Sequence, residues 1–495
     1  MTFEIVFVLL SLLGMVAALI ADKMRPGMIL FSVVVLFLCA GILTPKEMLE
    51  GFSNKGMITV ALLFLVSEGI RQSGTLGQVI KKLLPQGKTT VFKAQLRILP
   101  SVAFISAFLN NTPVVVIFAP IIKHWAKSVN LPATKFLIPL SYVTILGGIC
   151  TLIGTSTNLV VHGMILEAGF EGFSMFELGK VGVFIAIAGI IYIFLFSKRL
   201  LPDARPDTAV PDEEIEEGEK FHRVEAVLGA RFPGINKKLK DFNFQRHYGA
   251  EVKEIKTRNG QRFVTNLDDV VLHEGDTLVV MADDTFIPTW GESSVFVLLT
   301  NGNEPDTSGK KKRWFALLLL VLMIVGATVG ELPVTKEMFP DIKLDMFFFV
   351  SITTIIMAWT NLFPARKYTK YISWDILITI ACAFAISKAM VNSGVADSVA
   401  KFIIGLSDDY GPHVLLAMVF IITNLFTELI TNNAAAALAF PLALSISAQL
   451  GVSPTPFFVV ICMAASASFS TPIGYQTNLI VQGIGNYKFT DFVRI

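Results

Sequence analysis

Residues 108–120 read FLNNTPVVVIFAP and residues 429–441 read LITNNAAAALAFP. Each sets two adjacent asparagines, flanked by threonine, in strongly apolar sequence. Amides and hydroxyls supply neutral oxygens to a small cation and N–H or O–H donors to an anion. Where backbone leaves its helical hydrogen bonds, its carbonyls can hold Na⁺, and helix N-termini attract negative charge. A second pair of segments accompanies the first. IGTSTNLVVHG (153–163) and IGYQTNLIVQG (473–483) share the pattern IGxxTNLxVxG, with Gly154 and Gly474 where a close backbone approach is needed. One asparagine in a membrane helix usually bonds a neighbouring helix. Two pairs in register, each with a partner break in register, point instead to a binding site.

The register is close to constant. The glycines of the second pair are offset by 474 − 154 = 320, and the prolines that end the first pair, Pro120 and Pro441, by 441 − 120 = 321. Asn111 thus stands opposite Asn432, and Thr112 opposite Asn433. RQSGTLG (71–77) against MVNSGVAD (390–397) adds a third match, 393 − 73 = 320. Three matches in nearly one register indicate a duplication.

The elements that position these motifs are membrane spans. The chain has 495 residues, 53% hydrophobic and 16% charged, which is too apolar for a soluble domain. Spans are expected at 3–21, 27–43, 57–80, 135–167 and 176–197, then at 314–331, 345–363, 374–392 and 456–484. Broken segments lie at 98–123 and 414–448. The N-terminus lacks a basic n-region and a cleavage site, so the first span is read as retained. From about 200 to 312 the sequence is charged, with an acidic linker, PDEEIEEGEK (211–220), and short alternating segments that read as strands. The expected division is therefore a membrane repeat over 1–200, a soluble insert over 201–312 and a second membrane repeat over 313–495.

Lys and Arg cluster after the first span (Lys23, Arg25), at 81–97, at Lys123 and Lys127, around the insert, and at 366–370. The positive-inside rule places these in the cytoplasm, with the N-terminus outside. The crossings balance only if 98–123 enters and leaves from the cytoplasm and the second broken segment does so from outside. The fold class expected is an α-helical polytopic membrane protein with an inverted repeat, two re-entrant hairpins, two broken helices and a small inserted α+β cytoplasmic domain. Inverted repeats with paired broken segments mark secondary transporters, whose sites lie near the midplane.

With these residues in place the sequence resembles the divalent anion:sodium symporters, whose signature is a duplicated Ser-Asn-Thr tip followed by a Gly-Thr-Pro-Pro-Asn-like break. Here the tips read Asn110-Asn111-Thr112 and Thr431-Asn432-Asn433, and the breaks Gly154-Thr155-Ser156-Thr157-Asn158 and Gly474-Tyr475-Gln476-Thr477-Asn478. The resemblance implies an elevator-type homodimer in the plasma (inner) membrane that moves an oxyanion with several Na⁺. It implies one sodium site at Ser106, Asn110, Asn111 and Gly154, and another at Thr427, Asn432 and Gly474. Substrate contacts would fall on Asn111, Thr112, Thr155, Thr431, Asn432, Asn433 and Tyr475. The double prolines are absent and Asn433 replaces a threonine, which turns the resemblance toward the sulfate-type branch. The first half carries a full span after its break, whereas the second stops at FTDFVRI, so a final helix is expected beyond it. The insert resembles the TrkA-C (RCK-C) module through FPGINKKLKDFNFQRHYGAEVKEIKTRNG and LHEGDTLVVMADD. Such modules bind a small ligand or dimerise.

Three charges fall within the apolar segments: Glu68, Lys388 at the same repeat position (388 − 68 = 320), and Glu428 one turn before the second tip. They are candidates for coupling, with snorkelling or interfacial positions as the alternative. Asp408-Asp409 lies in a loop, so no mid-span Asp pair suggests proton antiport. Cys39, Cys150, Cys382 and Cys462 have unrelated spacings and read as reduced, buried, apolar side chains. No nucleophile–base set, metal-ligand framework or phosphate loop appears. Neither an enzyme, a cofactor beyond Na⁺ as coupling ion, nor a nucleic-acid partner is expected. The leading reading is Na⁺-coupled symport of a divalent oxyanion, sulfate before dicarboxylate or citrate. The competing readings are a gated anion channel or ligand sensor governed by the soluble domain, and an anion exporter.

Overall fold

The computed structural model describes the chain except residues 1–2, 22–23, 204–220, 230, 258–260, 284–285, 291–294, 301–308, 340, 406–410 and 473. The acidic linker, Lys23 and Asp408-Asp409 therefore lie outside the described residues. Among those described, seven helices are long and apolar enough to cross a membrane, and shorter apolar helices accompany them. Their outer faces carry exposed Leu10, Phe104, Phe184 and Leu425, as hydrocarbon solvent requires. The protein is an α-helical polytopic membrane protein.

Both broken segments form helical hairpins. Hairpin 1 runs up Val91–Ser106, turns, and returns as Asn111–Ser128; hairpin 2 runs up Gly411–Leu429 and returns as Asn432–Leu450. The segments 135–167 and 456–484 are each split in two. Broken helix 1 is Leu137–Gly148 and Ser156–Glu167; broken helix 2 is Thr455–Ser466 and Gln476–Gly485. The halves interlock. The returning helix of hairpin 1 packs on Gln476–Gly485, and that of hairpin 2 packs on Ser156–Glu167.

Two expectations change. The span drawn over 57–80 ends at Gln72, and a separate helix, Thr75–Leu83, follows. Gly74 between them has φ +71°, a left-handed conformation that stops a helix and that glycine adopts without a Cβ penalty. Its repeat counterpart Gly394, φ +75°, separates Trp374–Asn392 from Val395–Gly405 in the same way. The third sequence match thus encodes a duplicated helix stop. The second change concerns the thiols, all free: Cys382 and Cys462 are buried and Cys150 is half-buried, but Cys39 is exposed. It ends the Pro26–Cys39 helix, next to exposed Ala40 and Gly41.

The insert forms a five-stranded antiparallel sheet, order β3-β2-β4-β1-β5, from β1 Phe221–Leu228, β2 Glu251–Lys256, β3 Arg262–Phe263, β4 Thr277–Asp283 and β5 Phe296–Thr300. Val224 pairs with Val280 and Ala226 with Leu278, which turns alternate residues inward. They meet Phe232, Phe242, Phe244, Tyr248 and Phe296 in a core of the domain's own.

Candidate functional site

The four helices that begin at Asn111, Ser156, Asn432 and Gln476 start at the tips and breaks. Each follows a residue of extended ψ, respectively Asn110 (ψ 140°), Thr155 (147°), Thr431 (146°) and Tyr475 (133°). None of these four residues caps its own helix with its side chain. The first-turn N–H groups are left for another acceptor, and each helix end adds partial positive charge.

Side chains draw the four starts together across the repeats. The Asn111 amide lies 2.6 Å from Tyr475 Oη, and Thr155 Oγ1 lies 3.1 Å from the same hydroxyl. Thr112 Oγ1 donates to Gln476 Oε1 at 3.2 Å. Ser156 and Thr157 hydroxyls each donate to Asn433 Oδ1 at 3.3 Å. Asn111, Thr155 and Tyr475 are buried. Thr431 Oγ1, Ser466 Oγ and Ser468 Oγ are buried without a hydrogen-bond partner, which is costly unless something else satisfies them.

Beside each tip sits an oxygen set in repeat register. Ser106 Oγ donates to Thr144 O at 2.8 Å and lies 2.8 Å from the Asn111 amide. Thr427 Oγ1 donates to Ala465 O at 2.5 Å and lies 2.8 Å from the Asn432 amide. The Asn111 amide satisfies both of its ends in one orientation: its nitrogen donates to Thr144 O (3.1 Å), Gly154 O (3.3 Å) and Ser106 Oγ (2.8 Å), and its oxygen accepts from Tyr475 Oη at 2.6 Å.

The glycines keep the breaks close. A Cβ on Gly154 would run into the carbonyl oxygen of Gly148, and one on Gly474 into Ser468 Oγ. Two asparagines that the sequence reading left as pattern letters pin these loops. Asn158 Nδ2 donates to Thr151 O at 2.9 Å, and Asn478 Nδ2 to Ser468 O at 3.0 Å and Thr471 O at 3.1 Å. Their place at one position of both break motifs was the available signal. Thr144 O and Ala465 O were missed too, because backbone oxygens have no residue signature. An Asn478→Ala protein should lose about 2 kcal/mol of stability through the two orphaned carbonyls. Its melting temperature in detergent should drop by several degrees; an unchanged value would mean that the loop is held otherwise.

The structure brings Ser106, Asn110, Asn111, Thr112, Gly154 and Thr155 together with Thr427, Thr431, Asn432, Asn433, Gly474 and Tyr475 around the tips and breaks. The three charges are placed differently. Glu428 accepts from Ser470 N at 3.0 Å, beside break 2. Glu68 is bonded within its own helix to Arg71 and Gln72, each at 2.6 Å. Lys388 lies near Glu47 and Glu167, at the end of its helix away from the Trp374 terminus.

Comparison with known proteins agrees with this architecture. The family described as "Citrate transporter" (CitMHS) matches over residues 16–457 and 338–494. An uncharacterized transporter of Synechocystis sp. is 30% identical, over 94% of this chain and 89% of its own length. A putative sulfur deprivation response regulator of Chlamydomonas reinhardtii is 27% identical over 94% of each chain. A probable sodium/sulfate cotransporter 3 of the same alga is 23% identical, over 96% of this chain and 84% of its own. With the family matched over most of the chain and the duplicated tips and breaks meeting as a transporter needs, the chain belongs to the citrate transporter family.

Proposed function

We propose that the protein is a secondary active transporter that couples Na⁺ entry to uptake of a divalent oxyanion, with sulfate as the first substrate. The observation that carries this is the Asn111 amide, which reaches an oxygen set on one side and the Tyr475 hydroxyl among four uncapped helix starts on the other. Na⁺ beside Ser106, Asn111 and Thr144 O holds the amide oxygen toward itself, and the amide then offers its N–H₂ to the anion. With the amide turned over, an oxygen faces the anion side and repels it. Na⁺ and anion thereby raise each other's affinity, as linkage requires. Thr427, Asn432 and Ala465 O form the second sodium site. No Arg or Lys stands at either tip, so amides, hydroxyls and helix starts hold the anion and Na⁺ supplies the counter-charge.

The relative named a sodium/sulfate cotransporter supports this choice. The family description supports a second reading, citrate or a dicarboxylate at the same site. The protein works as an elevator-type homodimer in the plasma (inner) membrane, N-terminus outside and soluble domain in the cytoplasm. Glu428, one turn from tip 2, is the candidate for an added coupling role; Glu68 is engaged by Arg71 and Gln72.

The test is radiolabelled sulfate uptake by proteoliposomes with and without an inward Na⁺ gradient, with succinate, citrate and thiosulfate as competitors. Na⁺-driven accumulation above equilibrium is expected, which a channel cannot give. Strong citrate or succinate uptake without sulfate would move the substrate and keep the site. Uptake indifferent to Na⁺ would refute the coupling. Tyr475→Phe removes one hydroxyl and should raise the anion KM roughly tenfold, the worth of a hydrogen bond to a charged group. An unchanged KM would remove Tyr475 from the anion site.

A further inference from the structure

The soluble domain is docked on the two helices that carry a tip and a break. Glu225 of β1 reaches across to Lys123 of the returning helix of hairpin 1, with Nζ 3.0 and 3.1 Å from its two carboxylate oxygens. Lys256 of β2, itself buried, lies 3.4 Å from the same carboxylate. Burial alone would raise the Glu225 carboxyl; Lys123 and Lys256 outweigh it and hold its pKa down to about 2. The folded value is depressed, so the pair's stabilisation is present above the ordinary carboxylate range and fades only as pH falls toward 2. The Glu225 carboxylate is therefore ionised at any working pH.

A second contact joins the domain to broken helix 2. Leu479 packs on Gly275, and a Cβ placed on Gly483 would lie 3.8 Å from Thr277 Cβ and 2.5 Å from Thr277 Oγ1. The same domain also faces the rest of the membrane part: Arg231 lies close enough to Asp375, in the first turn of Trp374–Asn392, to act on its charge. It is tethered on one side to Gly179–Leu200, which packs on broken helix 1, and on the other to Lys310–Gly330, which packs on the Met346–Trp359 helix.

We infer that the soluble domain is a brake: docked through Glu225–Lys123 and Thr277–Gly483, it holds the site-bearing helices against the rest of the membrane part, and its release sets the rate of uptake. The inference rests on the proposed transport function. It assigns the domain a mechanical role that a separate stability module would not have.

The Thr277→Cys/Gly483→Cys pair tests it in the full chain, since 3.8 Å between Cβ atoms suits a disulfide. Oxidation should stop Na⁺-driven uptake and reductant should restore it, with the wild-type protein and its four native thiols as control. Glu225→Gln and, independently, Lys123→Gln should raise the uptake rate severalfold at an unchanged anion KM. They should also speed maleimide labelling of a Thr277→Cys protein, whose thiol is buried at the same contact, a readout that needs no transport. A cross-linked protein that transports at the reduced protein's rate would overturn the brake, as would neutral variants that slow uptake. If wild-type protein transports none of the anions tried while labelling still accelerates, the function has failed and the docking stands.

Discussion

Asn111→Ala protein is expected to lose Na⁺-dependent anion uptake by at least about 100-fold while still folding. The side chain's amide reaches Ser106 Oγ, Thr144 O and Gly154 O at one end and the Tyr475 hydroxyl at the other. Hydrogen bonds to charged groups contribute roughly 1.5–3 kcal/mol each, and removing one partner also leaves buried groups unsatisfied. A combined loss of about 3 kcal/mol corresponds to about two decades. Folding should survive, because Ser106 keeps Thr144 O and Tyr475 keeps Thr155. Asn432→Ala, its repeat partner beside Thr427, should fall comparably. If both asparagines serve one coupled cycle, the double variant will be little worse than either single one. Retention of more than half the wild-type uptake in a monodisperse Asn111→Ala preparation would refute the site.

The second large effect is steric. Gly474→Ala should abolish uptake, because the new methyl would occupy the space of Ser468 Oγ; overpacking of this kind costs about 1–3 kcal/mol and displaces the backbone. The obstruction is a side chain, so Ser468→Gly should restore much of the activity to Gly474→Ala protein. The first repeat shows the arrangement tolerated, since Gly148 holds the matching position (468 − 148 = 320). Gly154→Ala meets the Gly148 carbonyl oxygen instead, and no neighbouring side-chain change should rescue it. Paired uptake and melting curves decide the matter. Failure of Ser468→Gly to restore any uptake would mean that Gly474 serves through its backbone freedom, not its lack of volume.

What the sequence made legible follows from contrast and repetition. Polar tips in apolar sequence, repeated at an offset of 320 or 321, exposed both hairpins and both breaks. The strands of the insert were legible from their alternation and turns. The helix stops at Gly74 and Gly394 were read as spans or as motif letters, because a glycine inside an apolar run gives no warning that its φ will be positive. The carbonyls of Thr144 and Ala465 beside the tips carry no residue signature. Nor does sequence register say that each tip packs on the other repeat's break; duplication aligns Asn111 with Asn432, whereas packing sets Asn111 against Tyr475. Docking of the insert was equally hidden, since Lys123 reads as a cytoplasmic charge ending an apolar segment and Glu225 as one charge among several in its strand.

That exchange of partners also bears on biogenesis. Asn111 is synthesised 364 residues before Tyr475. At about 5–20 residues per second, hairpin 1 waits roughly 20–70 s for the helix start that completes it. During that interval its amides sit in or beside the bilayer without their final partner. Orphaned polar groups are expensive in hydrocarbon, so a nascent chain should hold the first tip in contact with water or the insertion machinery until the helix that follows Tyr475 arrives. Nonsense truncation just before Tyr475 should therefore yield a chain that is inserted yet rapidly degraded, and not a half-active transporter.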